Sequence, residues 1–466
     1  MSGGLVNPNS ALQIAYQTGM LARMFEEGLD SEAAYAHDAV VEVVPAGIGE
    51  SITKTRISRL LPQVTPLNPM NIGGLDNGLV PLTPTAEQYT YNILQYGAVQ
   101  YLDLVAEQAG IANQLKQIAR NNGVNAAQTV ERLMKRNWFA NYDTGNTWIR
   151  GDIDAVTSTT MAVDDIRGFQ FQFVNGKPEP VSPSNPLPCV EVAFNGGTSQ
   201  TLNITGAVAD TVTASVYPAS VAGGVSDGIS GVLTYANSSS GNAVSGDALI
   251  SSLASPVFRP NNKQATNQLT SSDLITVALL QTAQATLSQN AVPRHSDGTY
   301  HCYMDYHSMT ELLVDPQFQI MYASRGSNEI YQNNQVFTFL GMTIIPTTEA
   351  YLQAIVPSAG MASGQLPGTL VHRVLITGKE GINIGHFAGV KSYADREAVN
   401  SISNIYMVDN IAHIIRAPID NMGRQVSLAW LGVFAIVCPT DLTATPSIIP
   451  TASNAAFKRA IVLEHC

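Results

Sequence analysis

Apolar residues recur along this chain at two spacings. At helical spacing, Leu12, Tyr16, Met20 and Phe25 mark one face of a helix over 10–29, with Gly28 as its terminator. A second helical region spans 103–142. Leu104, Ile111, Leu115 and Ile118 mark one face, then Val130, Leu133, Met134 and Trp138 mark another. Between them, Asn121-Asn122-Gly123 reads as a C-cap and Asn125 with Gln128 as a restart, so the region is two helices or one helix broken near Gly123. Leu274, Val277, Leu280, Ala283 and Leu287 predict an amphipathic helix over 273–289, with Thr270 or Ser271 near its start. Strand character appears at 40–44, 51–60, 371–377, 381–387, 413–416 and 424–438. The last of these is apolar at successive positions, so it belongs inside a sheet.

The two spacings meet over 297–347. Asp297-Gly298 is a turn signal, and an aromatic-rich strand follows over 300–304. A helix is predicted over 309–322, with Ser308 as N-cap and Glu311 placed as in a capping box. A strand over 336–345 stops at Pro346. Strand, helix and strand joined by polar loops make a compact α+β unit.

Two stretches break the pattern. Pro62, Pro66, Pro69, Gly73, Gly74 and Gly78 punctuate a long loop between the 51–60 strand and a Tyr-rich segment over 88–102. Two strands so separated cover little apolar surface, and they make sense if a neighbouring subunit covers them. From about 168 to 266 charges nearly vanish, and turn signals recur at Asn175-Gly176, Asn195-Gly196, Asp227-Gly228 and Ser240-Gly241. Short β-type runs lie between them, which suggests a small sandwich or barrel, with a low-complexity linker as the alternative.

Composition narrows the function classes. Of 466 residues only 13% are charged while 45% are apolar, a balance that suits burial against copies of the same chain. The net charge of −12 argues against a nucleic-acid-reading domain. Cys189, Cys302, Cys438 and Cys466 are scattered and form no C-x-x-C pair, which indicates reduced thiols and no zinc finger. The first residues have neither the basic nor the apolar segment of a signal peptide, and the longest apolar run, 426–437, is too short to span a bilayer.

Candidate chemistry is sparse. Gly224-Val225-Ser226-Asp227-Gly228 fits G-x-S-x-G, but no helical pattern follows Ser226 as a nucleophile elbow requires. His301, Cys302 and His307 offer metal-ligand atoms, yet on a strand His301 and Cys302 point to opposite faces. His372, His386 and His413 have no carboxylate close in sequence, and neither a P-loop nor G-x-G-x-x-G is present. No catalytic, cofactor or metal residues are therefore assigned. Lys54, Arg56 and Arg59 form a basic cluster on a strand: a solvated face, or a salt-bridging edge for an acidic neighbour.

The order D-G-x-Y turn and strand, Glu-Leu helix ending at Asp-Pro, and G-x-x-I-x-x-T strand resembles the axial domain of tailed-phage major capsid proteins with the Hong Kong 97-type fold, within the coat-protein branch of N4-like phages. Gln95-Tyr96-Gly97 and the turn Asp420-Asn421-Met422-Gly423-Arg424 before a Trp-bearing strand are similar to that family's pattern too. Ser308 stands where many relatives have Pro, and Leu431 where they often have Lys. The resemblance covers about 10–165 and 268–440. It implies an N-terminal arm (1–39), an extended loop (40–102), a peripheral domain with a spine helix (103–167), an inserted β-rich domain (168–266), an axial domain (267–400), closing peripheral strands (401–440) and a C-terminal tail (441–466). It implies a virion protein that self-assembles into hexamers and pentamers of an icosahedral shell, and it leaves room for portal, scaffold and decoration proteins as partners. A serine hydrolase built on Ser226, or another virion or surface β-protein such as a tail or adhesin component, is the alternative.

Overall fold

The computed structural model describes residues 10–30, 34–45, 47, 49, 51–57, 60, 86–103, 114–150, 156–174, 177–194, 199–209, 230–237, 243–323, 338–354, 370–390, 403–416, 425–439 and 458–466. The fold is α+β, and the chain divides into two compact units, each assembled from separated segments.

The first unit comprises residues 1–53, 90–134 and 382–437. Its sheet is organised on the strand Gln425–Val437. Leu94–Asp103 pairs antiparallel with it along 425–434. Ile411–Arg416 and Asn383–Phe387 pair with it over 427–431 and 434–437. Ser403–Val408 and Val40–Val44 complete the sheet, the latter parallel to Asn383–Phe387. The strand expected over 424–438 thus lies inside a sheet, as its apolar run predicts, with neighbours on both edges.

Helices α1 (Ser10–Asp30) and α2 (Gln114–Tyr142) belong with this sheet, α2 continuing into the second unit from Lys135. Phe25, Leu29, Ala126, Ala127 and Trp430 form one buried cluster, and Leu21, Ala119 and Leu428 another. The expected helix breaks at Gly28 and Gly123 are not there. Both glycines lie inside their helices, where the two backbones touch. A Cβ on Gly123 would collide with the Phe25 carbonyl oxygen, and one on Gly28 with the carbonyl oxygen of Arg120. The asparagines read as caps tie α2 to the sheet instead. Asn122 Nδ2 donates to the Leu428 carbonyl at 3.3 Å, and Trp430 Nε1 donates to Asn125 Oδ1 at 3.0 Å. The second half of α1 is therefore packed within its own chain.

The second unit comprises residues 54–89, 135–381 and 438–466. It holds a closed barrel of Gln200–Ala209, Gly231–Asn237, Thr160–Val163, Asn146–Arg150, Ala248–Ser251 and Leu187–Val192, in that order. Its core is Ile149, Met161, Val163, Phe169, Leu202, Ile204 and Leu233, among others. The β-rich region is thus a barrel, and it starts before residue 168, because Asn146–Arg150 and Thr160–Val163 are two of its staves.

The same unit holds a seven-stranded sheet: Val257–Phe258, Ala460–His465, Leu370–Thr377, Tyr300–Met304, Met342–Pro346 and Thr338–Phe339, with Tyr351–Ala354 on Leu370–Thr377. Helices α3 (Val277–Gln289), α4 (Tyr306–Val314) and α5 (Pro316–Ala323) contribute to its core. The single helix expected over 309–322 is two helices, because Pro316 has no N–H to continue the ladder. Its N-cap is Asp305, whose carboxylate accepts from the Ser308 N–H at 3.3 Å, not Ser308 itself. Residues 460–465, expected as part of a tail, form a wholly buried strand between Val257–Phe258 and Leu370–Thr377. Asn383–Phe387, expected with the axial segment, pairs in the first unit's sheet.

Candidate functional site

The second unit's interior holds charge that the sequence pattern concealed. Glu464 sits mid-sheet on the last strand, fully buried. Its Oε2 accepts from Arg259 Nε at 2.6 Å and from Thr266 Oγ1 at 2.9 Å, and its Oε1 accepts from Arg373 Nε at 2.7 Å. Arg373 also lies 2.8 Å from Asp143 and donates to Gln353 Oε1 at 2.6 Å. Gln353 Nε2 in turn donates to Asp164 Oδ2, and Asp164 pairs with Arg150 at 3.2 Å. This chain of contacts runs from the seven-stranded sheet to barrel staves. Burial resists ionisation of Glu464, but Arg259 and Arg373 outweigh it and hold the carboxyl at about 2. Asp143 goes the other way: burial raises it to about 7, and Arg373 only partly offsets that.

Beside it lies a histidine–carboxylate cluster. His372 Nδ1 is 2.7 Å from Asp305 Oδ2, and Ser308 Oγ donates to Asp305 Oδ1. His465 Nε2 is 2.8 Å from Ser308 Oγ, and His465 Nδ1 is 3.0 Å from Glu311 Oε2. His307 stacks on His372 with centroids 4.7 Å apart, and His372 on His465 at 5.4 Å. Burial opposes ionisation of Asp305, but hydrogen bonds from His372 and Ser308 outweigh it and hold the carboxyl at about 2. Glu311 is lowered likewise, by its contact with His465 against the effect of burial.

Ser308, His465 and Glu311 have the order of a nucleophile, a base and an orienting carboxylate. The environment does not suit turnover. Ser308 and His465 are 0% exposed, and the one Ser308 proton is donated to Asp305. What this arrangement does is fasten the last strand to the first turn of α4.

The residues singled out from sequence fall as follows. Lys54 lies half-buried in the strand Ser51–Ile57, which pairs with Ala86–Asn92 as a two-stranded ribbon. Arg56 is in the same strand, and Arg59 and Ser226 lie outside the described residues. The basic cluster thus lies only partly within the described residues. Cys302 is fully buried, while His301 is turned out to Asp297 at 3.1 Å, so the two do point apart. Of the histidines with no carboxylate close in sequence, His372 has Asp305 as its partner. His386 and His413 are buried in the first unit, and burial lowers both, His413 to about 4. Glu464, Arg259, Arg373 and Asp143 escaped the sequence reading. A signal existed for two of them: Arg373 and Glu464 are the charged residues, each beside a histidine, in the mostly apolar strands Leu370–Thr377 and Ala460–His465.

No helix among the described residues is long and apolar enough to cross a membrane. Neither a family model nor a curated protein matches the chain. Among solved structures the chain is similar to the capsid of cyanophage P-SCSP1u, at 12% identity and TM-score 0.44, over 93% of this chain and 89% of that one. It is similar to the capsid of Ralstonia phage GP4, at 10% identity and TM-score 0.47, over 93% and 91%. It is also similar to a structure of Mycobacterium phage Che8, at 8% identity and TM-score 0.39, over 93% and 91%.

Proposed function

We propose that this chain is the major capsid protein of a tailed phage, with a Hong Kong 97-type fold, which self-assembles into the icosahedral shell of a virion. The observation that carries this reading is the ribbon of Ser51–Ile57 and Ala86–Asn92. It belongs to neither larger sheet. Ser51, Thr53, Thr55 and Ile57 are exposed along one side, Ile57 at 65%. One end is anchored in its own chain, where Tyr91 is fully buried and its hydroxyl donates to Glu42 at 2.8 Å; the rest of a two-stranded ribbon is marginal alone in water, so the reading has a neighbouring copy cover it. A shell also explains why a chain with 13% charged residues keeps its buried charges for internal ties. Lys54, Arg56 and Arg59 are then contact residues for an acidic neighbour, and portal, scaffold or decoration proteins are further partners of such a shell. Catalysis has no part in this reading. The test is electron microscopy and sedimentation of the purified full chain. Closed shells, or capsomers that convert to them, are expected. A single compact 49.7-kDa species at every concentration would refute the reading.

A further inference from the structure

The two units treat histidine in opposite ways. In the second unit His301, His307, His372 and His465 lie 3.1, 3.1, 2.7 and 3.0 Å from a carboxylate of Asp297, Glu311, Asp305 and Glu311 respectively. In the first unit His413 is 0% exposed, and among the described residues neither ring nitrogen has a hydrogen-bond partner. Its ring stacks on Phe25 of α1, centroids 4.7 Å apart and planes 17° from parallel. Its cross-strand neighbours are Trp430 and Tyr406, which offer no negative charge at neutral pH.

We propose that His413 is an acid-sensitive latch for α1: protonating its imidazole, which has no hydrogen-bond partner among the described residues, drives Phe25 off the sheet and frees the second half of α1 while the second unit stays closed.

A buried cation without a partner is among the costliest states a protein interior can hold. The neutral ring packs as an aromatic, and the charged ring must reach water. The Phe25 ring of α1 covers it, and α1 is held there by Leu21, Phe25 and Leu29, its buried apolar side chains among the described residues, and by its backbone contact with α2 at Gly28 and Gly123. Burial is the influence that lowers His413, and no ionisable group offsets it. His386, on the neighbouring strand Asn383–Phe387, is lowered by burial too, with Asp409 partly offsetting. The direction of linkage follows. A group held below its unfolded value of about 6.5 leaves the closed form unaffected above that pH and weakens it as pH falls toward the folded value. The constant for opening therefore rises by up to about tenfold per pH unit below about 6.5. In the second unit these four rings each lie against a carboxylate of Asp297, Asp305 or Glu311, so none of them is a buried ring without a counter-charge, and acid is not expected to open that unit in the same range.

Hydrogen exchange on the full chain, from about pH 7.5 to about pH 4 and corrected for the intrinsic pH dependence of amide exchange, tests the latch. Peptides from 20–30 are expected to lose protection by up to about tenfold per pH unit below about 6.5. Peptides from 370–377 and 460–465 are expected to keep theirs. In His413→Leu the loss over 20–30 is expected to flatten. Equal loss in both units, or unchanged protection of 20–30 down to about pH 4, overturns the proposal on the unmutated protein alone, whether or not His413→Leu folds.

Discussion

Arg259 Nε lies 2.6 Å from Glu464 Oε2, although 205 positions separate the two residues in the chain. Both side chains are at most 1% exposed. Removing Glu464 leaves two buried guanidiniums short of their shared counter-charge, and removing Arg259 leaves Glu464 with Arg373 alone; breaking a buried pair costs up to about 3–5 kcal/mol. Arg259→Ala and Glu464→Ala are each expected to lower the unfolding free energy of the second unit, Glu464→Ala the more, read as a lower urea midpoint at unchanged slope. Arg259→Met with Glu464→Leu is expected to recover part of it, because an apolar pair removes the desolvation cost along with the attraction. Equilibrium unfolding of the three variants checks this. Near-neutral single variants would show that water reaches the pair.

The crossing of α1 and α2 makes a second prediction. Gly123→Ala raises helix propensity, worth about 1 kcal/mol in its favour. It also places a methyl against the Phe25 carbonyl oxygen. Backbone cannot yield as a side-chain tip does, so the overpacking cost of about 1–3 kcal/mol wins. Gly123→Ala is expected to be less stable than wild type by chemical denaturation. A stabilised variant would mean that the helices do not touch there.

Gly123 also shows where sequence reading stops. In a helical pattern, Asn-Asn-Gly is a stop signal, and nothing local distinguishes a stop from a contact with a helix nearly a hundred positions earlier. The elements with strong periods were legible: the strand Tyr300–Met304 falls where its alternation and turn place it, and Gln425–Val437 falls inside a sheet as its apolar run requires. The barrel was legible in kind, since turn signals recur between short β-type runs, but not in extent, since Asn146–Arg150 follows the end of a long helix with no change of composition. The buried charges were least legible. Arg373, Glu464 and Asp143 come from three separated segments, and only the closed fold brings them together.

Acid and alkali act on that cluster in opposite directions. Glu464 is held at about 2 against an unfolded value near 4.3, so its stabilisation is full above about 4.3 and is lost as pH falls toward 2. Asp143 is raised to about 7 against about 3.9, so its contribution is full below about 3.9 and is lost as pH rises through 7. Glu464→Gln is expected to flatten the acid side of the second unit's stability profile, and Asp143→Asn the side between about pH 4 and about pH 7. Urea midpoints across pH read both. Parallel profiles for wild type and Asp143→Asn would show that this carboxyl titrates normally.

The ribbon gives the last prediction. On an isolated surface Lys54 or Arg56 is worth only about 0–1 kcal/mol to a pairing. In a closed assembly every copy makes the same contact, so a small defect recurs at each one. Arg56→Glu replaces an attraction by a repulsion across the proposed contact with an acidic neighbour. The chain itself should fold unchanged, because the ribbon that carries this position is part of neither large sheet nor the barrel. Arg56→Glu is expected to give native-like circular dichroism and few regular shells at neutral pH. Lowering the pH should restore part of the yield, since protonating the neighbour's carboxylates removes the repulsion. Lys54→Glu is expected to act in the same direction. Counting shells by electron microscopy at each pH decides it. Normal yield from Arg56→Glu at neutral pH would show that the ribbon makes no charged contact with a neighbour, while the shell-forming function itself could still stand on the wild-type particles.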